Sequence, residues 1–285
     1  MASDPANQGE DAPPRLERLL PAGPPVTVGE LVEQLGLWTR PAEPSARPRM
    51  LLNMIATADG RATLGGRSGA ISGPADRALF HGLRSAVDAV LVGAGTARTE
   101  RYGRLIADER VRAQRRERGL SEEPLACIVS GRLELPPDIP LLRREDARVV
   151  VITASAASLP SPGAQLDYVR SQGPRLDLAA AITELSGRFA LQTILCEGGP
   201  HLARELLAAG LLDELFLSIS PQLAGGEPAG GEALRILAGP ELDPPLDLEL
   251  LGALRSGSEL FLHYGVVSAR ERVSRETIDS SSLAR

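Results

Sequence analysis

No lysine occurs among the 285 residues, so all 31 basic side chains are arginine. That absence excludes Schiff-base catalysis and the phosphate-gripping lysine of a Walker A loop, because a guanidinium stays protonated and cannot serve as an amine nucleophile. Cysteine is scarce as well: Cys127 and Cys196 are too few and too far apart for a disulfide framework or a cysteine-based zinc site. The three histidines, His81, His201 and His263, are widely separated, which argues against a histidine-rich metal centre. The net charge is −6 and the pI about 5.3, so no global positive field draws the molecule to nucleic acid or to an anionic membrane. No run of about 18 apolar residues is present, and the opening MASDPANQGEDAPPRLERLLPAGPP lacks the basic start and apolar core of a signal peptide. The expectation is a cytoplasmic protein with a small-molecule substrate and no nucleic-acid, membrane or metal partner.

What is present has the rhythm of an α/β protein. Residues 1–48 read as a mobile, Pro-rich extension carrying one short helix, VTVGELVEQLG (26–36), stopped by Gly36. The compact domain is predicted over 49–269 and is expected to fold without residues 1–25, with 270–285 a polar tail. Within it, MLLNMI (50–55), AVLVG (89–93), LACIVS (125–130), VVVIT (149–153) and LQTILCE (191–197) read as strands. They alternate with predicted helices at 74–88, 177–188 and 200–210, the pattern of a parallel sheet. Near the end, LDELFLSISP (212–221), LDLELLGALR (246–255) and SELFLHYGVV (258–267) follow one another without a long helix between them, which predicts antiparallel strands added to that sheet. The Arg-rich stretch 110–118, interleaved with Glu109 and Glu117, reads as a solvated helix face.

Three strand-to-loop junctions are candidates for chemistry, since ligands of open α/β sheets bind beyond the carboxyl ends of strands. Asp59, in IATADGR, is either such a site carboxylate or part of an ordinary Asp-Gly turn. Gly93-Ala94-Gly95-Thr96-Ala97-Arg98 lets backbone approach a phosphate and offers the Thr96 hydroxyl, although Arg98 breaks the G-x-G-x-x-G pattern and no helix clearly starts at once after it. Cys196-Glu197-Gly198-Gly199-Pro200 leads into a helix whose first turn holds Pro200, leaving free amides for an anion and placing Glu197 at a strand end. The alternative at each glycine string is a structural turn.

Taken together and in order, IATADGR, SGAISGPADRALFHGLRSAVDAVLVGAGTAR and LCEGGPHLARELLAAGLLDELFLSISPQLAGG resemble the reductase domain of the riboflavin-pathway pyrimidine deaminase/reductase family. The resemblance runs from about Met50 to Gly226 with a gap in the middle. It implies a dihydrofolate-reductase-like mixed α/β sheet flanked by helices, NADPH as hydride donor, and a homodimer. Carried over position by position, it implies cofactor contacts near Ile55 and Ala70, at Thr96, Glu100 and Ser130, and from Gly199 through Glu205, with Pro200, His201 and Leu202 among them. Read from the residues themselves, Gly93, Gly95 and Gly198 add backbone that a phosphate can approach, and Ser130 and Arg132 at a strand's end suit a 2′-phosphate. Ser68, Arg84 and Glu197 match substrate positions, and Asp59 and Glu197 are the catalytic candidates. The implied reaction delivers hydride to the ribose C1′ of a ribosylaminopyrimidine phosphate and opens the sugar to a ribityl chain. One string departs from the family: the acidic pair, Pro and L-T-x-R that follow G-x-G-T are replaced by TERYGRL, with Arg101 or Arg104 as substitutes for the missing arginine. Two further readings stay open: reduction of a pterin or dihydrofolate, and a catalytically silent NADPH-binding protein. The deaminase motifs H-x-E and P-C-x-x-C are absent from the sequence.

Overall fold

Successive residues of a strand point to opposite faces of a sheet, so a strand with no polar alternation needs cover on both sides. The computed structural model, which describes residues 14–40, 47–160, 163–226 and 234–267, meets that need with one mixed sheet between two helical layers. The first part of the chain runs β1 (Arg15–Leu20), β2 (Gly23–Thr27), α1 (Val28–Gln34), β3 (Arg49–Thr57), α2 (Pro74–Ala86), β4 (Ala89–Gly93), α3 (Ala94–Thr99) and α4 (Glu109–Glu117). It continues with β5 (Leu125–Val129), β6 (Arg148–Thr153), β7 (Gln165–Arg170), α5 (Leu178–Phe189), β8 (Thr193–Cys196), α6 (Pro200–Ala208), β9 (Glu214–Ser220), β10 (Leu248–Ser256) and β11 (Glu259–Val266).

Among the described residues the sheet has 11 strands in the order β2-β1-β10-β11-β9-β3-β8-β4-β5-β6-β7. From β9 to β7 every pairing is parallel, and from β9 outward through β11, β10, β1 and β2 every pairing is antiparallel. The period of two is visible in the core itself. Leu51, Val90, Val92, Ile128, Val149, Val151 and Leu195 face one layer, where α2 contributes Leu79 and Leu83. Met50, Leu52, Leu91, Cys127, Val150, Ile152 and Ile194 face the other, under Ile182 and Leu185 of α5 and Leu206 of α6. β8 lies between β3 and β4, although it follows both far along the chain, and this insertion brings the carboxyl ends of three strands together.

Three sequence expectations change here. Residues 15–27 are not a mobile extension: β1 pairs with β10 and β2, and Leu16 is fully buried with Val26 in the first core layer. Short apolar runs broken by prolines conceal these strands, whose burial depends on a partner more than two hundred residues away. The glycine string is itself the start of a helix, with Gly93 as the cap and Ala94 as the first residue of α3. β7, with half-buried polar positions at the sheet edge, carries too little apolar alternation to be read in advance. The short helix is expected over 26–36; Val26 and Thr27 instead end β2, and Thr27 also caps α1 (Val28–Gln34) through a reciprocal capping box with Glu30. The remaining expectations, for residues 1–13 and 270–285, lie outside the described residues.

Leu16 therefore makes the N-terminal strand part of the core. Leu16→Ala should cost about 2–5 kcal/mol, the usual range for emptying a closed leucine site, and a chain beginning after residue 27 should lose more. Urea denaturation of both variants checks this; unchanged midpoints would show that the strand only lies on the surface.

Candidate active site

Insertion of β8 between its neighbours places the Gly198-Gly199 turn directly against the end of β4. The Gly93 amide donates to the Gly198 carbonyl at 2.8 Å. A Cβ on Gly199 would lie 2.7 Å from Thr96 Oγ1, and Gly198 sits at φ +88°, so both positions require glycine if the two turns are to touch. Gly199 caps α6 and Pro200 fills its first position, which leaves the following amides of the first turn directed outward. A cavity of about 1080 Å³ opens at this junction. Ile55, Ser68, Gly93, Gly95, Thr96, Glu100, Ser130, Arg132, Gly198, Gly199, Pro200, His201 and Leu202 all line it, and so do Arg84 and Glu197. Ser68 and Glu100 meet directly: the Ser68 amide and hydroxyl both donate to Glu100 Oε1, at 2.8 and 2.9 Å.

At the base of the cavity Arg84, from the last turn of α2, grips Glu197 in a bidentate pair. Its Nε donates to Oε1 at 2.6 Å and its Nη2 to Oε2 at 2.7 Å. Tyr102 donates its hydroxyl to Oε2 at 2.6 Å, and Arg84 Nη1 reaches the Leu105 carbonyl at 3.2 Å. The guanidinium also lies over the Phe80 ring, 4.2 Å from its centroid. Burial works against the Arg84 charge, but the Glu197 carboxylate outweighs it and holds the guanidinium above its ordinary value. Burial, followed by the nearby Glu197 charge, pushes the Tyr102 phenol well up, so it stays a donor. His81, also on the cavity wall, is held below its ordinary value by burial and then by Arg84, which favours a neutral imidazole.

Residues 48–262 match the RibD C-terminal domain model. The chain belongs to the RibD C-terminal domain family. It is 29% identical over 227 residues to the 2,5-diamino-6-ribosylamino-4(3H)-pyrimidinone 5′-phosphate reductase of Methanothermobacter thermautotrophicus, covering 77% of this chain and 99% of that one. It is 27% identical over 233 residues to riboflavin biosynthesis protein RibD of Actinobacillus pleuropneumoniae, covering 78% of this chain and 58% of that one. The chain therefore spans less than two thirds of that relative. Among solved structures, a pyrimidine reductase-like protein from Corynebacterium diphtheriae superposes with a TM-score of 0.65 at 24% identity, over 85% of this chain and 100% of the other, and so shares the fold.

Within this RibD-type fold several expected positions move. Asp59 does not line the cavity with Glu197 but a neighbouring one. Its Oδ1 accepts from the Thr57 hydroxyl at 2.5 Å and its Oδ2 from the amides of Ala224 and Gly225 at 3.0 and 2.6 Å. The carboxylate thus pins the loop after β9, and the turn reading fits it better than the substrate-site reading. Glu197 stays at the cavity, yet its side chain is only 1% exposed and both oxygens are occupied, so it orients Arg84 instead of offering itself as a free acceptor. Ala70 is exposed on the turn at Ser68–Ala70 and does not line the cavity. Of the two substitute arginines, Arg104 is spent on Glu123 and Asp146, whereas Arg101 lines the cavity. Tyr102, Phe80 and His81 were not anticipated. The α2 spacing of Phe80, His81 and Arg84 was the available signal for two of them, because three- and four-residue steps share a helix face.

Tyr102→Phe keeps the ring and removes one bond to a buried carboxylate. It should destabilise the protein by about 1.5–3 kcal/mol, as expected for a bond to a charged group, and thermal or urea denaturation reads this directly; no loss would mean that the hydroxyl does not support the pair. Asp59 gives a pH signature. The Thr57 hydroxyl and then the Gly225 amide hold its carboxyl at about 2, below the ordinary 3.8. A depressed carboxyl adds stability that is complete above the unfolded value and is lost as pH falls through the folded one. Asp59→Asn should accordingly be less stable than the wild type at neutral pH, with the gap closing between about 3.8 and 2. A gap independent of pH would contradict the assignment.

Proposed function

We propose that the chain is an NADPH-dependent reductase that converts the ribosyl group of a ribosylaminopyrimidine phosphate into a ribityl chain. The substrate class is that named for the Methanothermobacter relative. The observation that supports it most is the meeting of two glycine turns, Gly93 to Thr96 and Gly198 to Leu202, on one wall of a cavity whose base is the Arg84–Glu197 pair. The residues present suit a dinucleotide. The Gly199 position, where a Cβ would strike Thr96, leaves bare backbone at the start of α6 for a pyrophosphate. Ser130, at the end of β5, and the exposed guanidinium of Arg132 offer a hydroxyl and a charge to a 2′-phosphate.

When bound, the cofactor supplies a hydride to the ribose C1′; the C1′–O4′ bond opens and O4′ takes up a proton. The protein's part is alignment. Arg84 gives three of its five N–H groups to Glu197 and the Leu105 carbonyl, and its side chain lines the cavity where a pyrimidine carbonyl would meet it. Glu197 and Tyr102 hold that guanidinium still. Ser68, fixed by Glu100, presents a hydroxyl to the same space, and Arg98 and Arg101 on the wall are the cations within the cavity lining that suit the ribose phosphate.

The same reading extends to a cytoplasmic homodimer. No helix among the described residues is long and apolar enough to cross a membrane. Leu248 and Leu250, alternate residues of β10 and so on one face of the sheet, are both exposed, which supports a face covered by a second copy.

Purified protein should oxidise NADPH in the presence of the ribosylaminopyrimidine phosphate and form the ribityl product; oxidation with dihydrofolate alone would overturn the substrate assignment. Arg132→Ala should weaken NADPH binding by roughly tenfold, the lower end for a charge-assisted bond, and leave NADH binding unchanged. Equal losses for the two cofactors in a titration would remove Arg132 from the 2′-phosphate site.

A further inference from the structure

The buried cation of α4 is used by nothing described so far. Arg115 has no exposed surface and is the largest fully buried side chain among the described residues. No carboxylate lies within ion-pair distance among the described contacts; main-chain carbonyls hold it instead. Nη1 donates to Ser85 O at 2.8 Å and Val87 O at 2.9 Å, with Arg84 O at 3.4 Å, and Nε donates to Ser121 O at 2.8 Å. Nη2 is buried without a partner. Three of the four acceptors close the carboxyl end of α2, where helix carbonyls are otherwise unsatisfied and the macrodipole is negative.

That end of the helix also carries the site. Arg84 is the residue whose carbonyl faces Arg115 and whose side chain must keep two bonds to Glu197, at 2.6 and 2.7 Å. Val87, also held, leads directly into β4 and so to Gly93. A buried cation is a costly way to pack two helices, and an apolar side chain would fill the space at less cost. The rest of α4 makes exposed ion pairs with Glu109 and Glu122, which contribute little. From this geometry we infer that Arg115 is a positioning residue of the reductase site, acting through Arg84: it locks the last turn of α2 so that the guanidinium of Arg84 keeps its bidentate hold on Glu197. The inference rests on the reductase reading above, but the coupling between the two arginines does not.

The test is a double-mutant cycle with Arg115→Met and Arg84→Lys, read by turnover, cofactor titration and melting temperature, with Arg115→Lys as the conservative variant. Arg115→Met should lower kcat/KM by about ten- to a hundredfold, the cost of misplacing an aligning group, with an unchanged dissociation constant for NADPH. Arg115→Lys should recover part of that loss. The double variant should be no worse than Arg84→Lys, because the first change acts through the second residue. If the two losses multiply, or Arg115→Met loses activity only in proportion to its folded fraction, the inference is wrong. If the wild type turns over no ribosylaminopyrimidine phosphate, the functional reading fails instead. The arginine coupling is then judged by melting temperature alone: a combined shift smaller than the sum supports it, and an additive one overturns it.

Discussion

The bidentate pair between Arg84 and Glu197 is the interaction around which the cavity is organised. It joins the end of α2 to the end of β8, two elements more than a hundred residues apart, and both charges are buried. In such surroundings each charge is tolerable only because the other is there, and removal of one alone is far more damaging than the pair is stabilising. Phe80 against one face of the guanidinium and the Tyr102 hydroxyl on the carboxylate complete the cluster. The glycines at 198 and 199 follow from the same strand insertion, since the first takes a positive φ and a Cβ on the second would strike Thr96 where β4 and β8 end side by side.

A second charge cluster ties the two halves of the sheet together. Arg49 of β3 donates twice to Glu214 of β9, at 2.6 and 2.9 Å, and His263 of β11 meets the same carboxylate at 2.6 Å. Burial opposes the Glu214 charge, yet His263 and Arg49 outweigh it and hold the carboxyl down to about 2. The parallel block that carries the cavity is thereby locked to the antiparallel strands beside it, and through β10 to the N-terminal strand. Two functions of charge are thus separated in space: one cluster registers strands, the other faces the cavity.

Much of this was legible in the sequence because the signals were local. AVLVG is β4 to the residue, and the helix starts at Pro74 and Pro200 follow from proline at the first turn. The cavity residues from Gly93 to Thr96 and from Gly198 to Leu202 are visible in the sequence as glycine-bearing strings at strand ends. What the sequence did not disclose is long-range partnership. Asp59 looks the same in one dimension whether it faces a ligand or pins residues 224 and 225; only the fold shows the latter. Glu197 looks like a free acceptor until Arg84 and Tyr102 are brought to it. Arg115 sits in an Arg-rich stretch that reads as a solvated face; Glu109, Arg110, Gln114, Arg116 and Glu117 are indeed exposed, but Val111 to Ala113 are half-buried and Arg115 is fully buried.

The buried cluster exists for the site and not for stability, and replacing it whole tests that most directly. In the triple variant Arg84→Met, Tyr102→Phe, Glu197→Leu, all three polar partners give way together to apolar side chains. The predicted result, from denaturation and turnover measured on the same preparation, is a protein at least as stable as the wild type within about 1 kcal/mol that no longer reduces the ribosylaminopyrimidine phosphate. A triple variant that keeps its turnover would contradict the account.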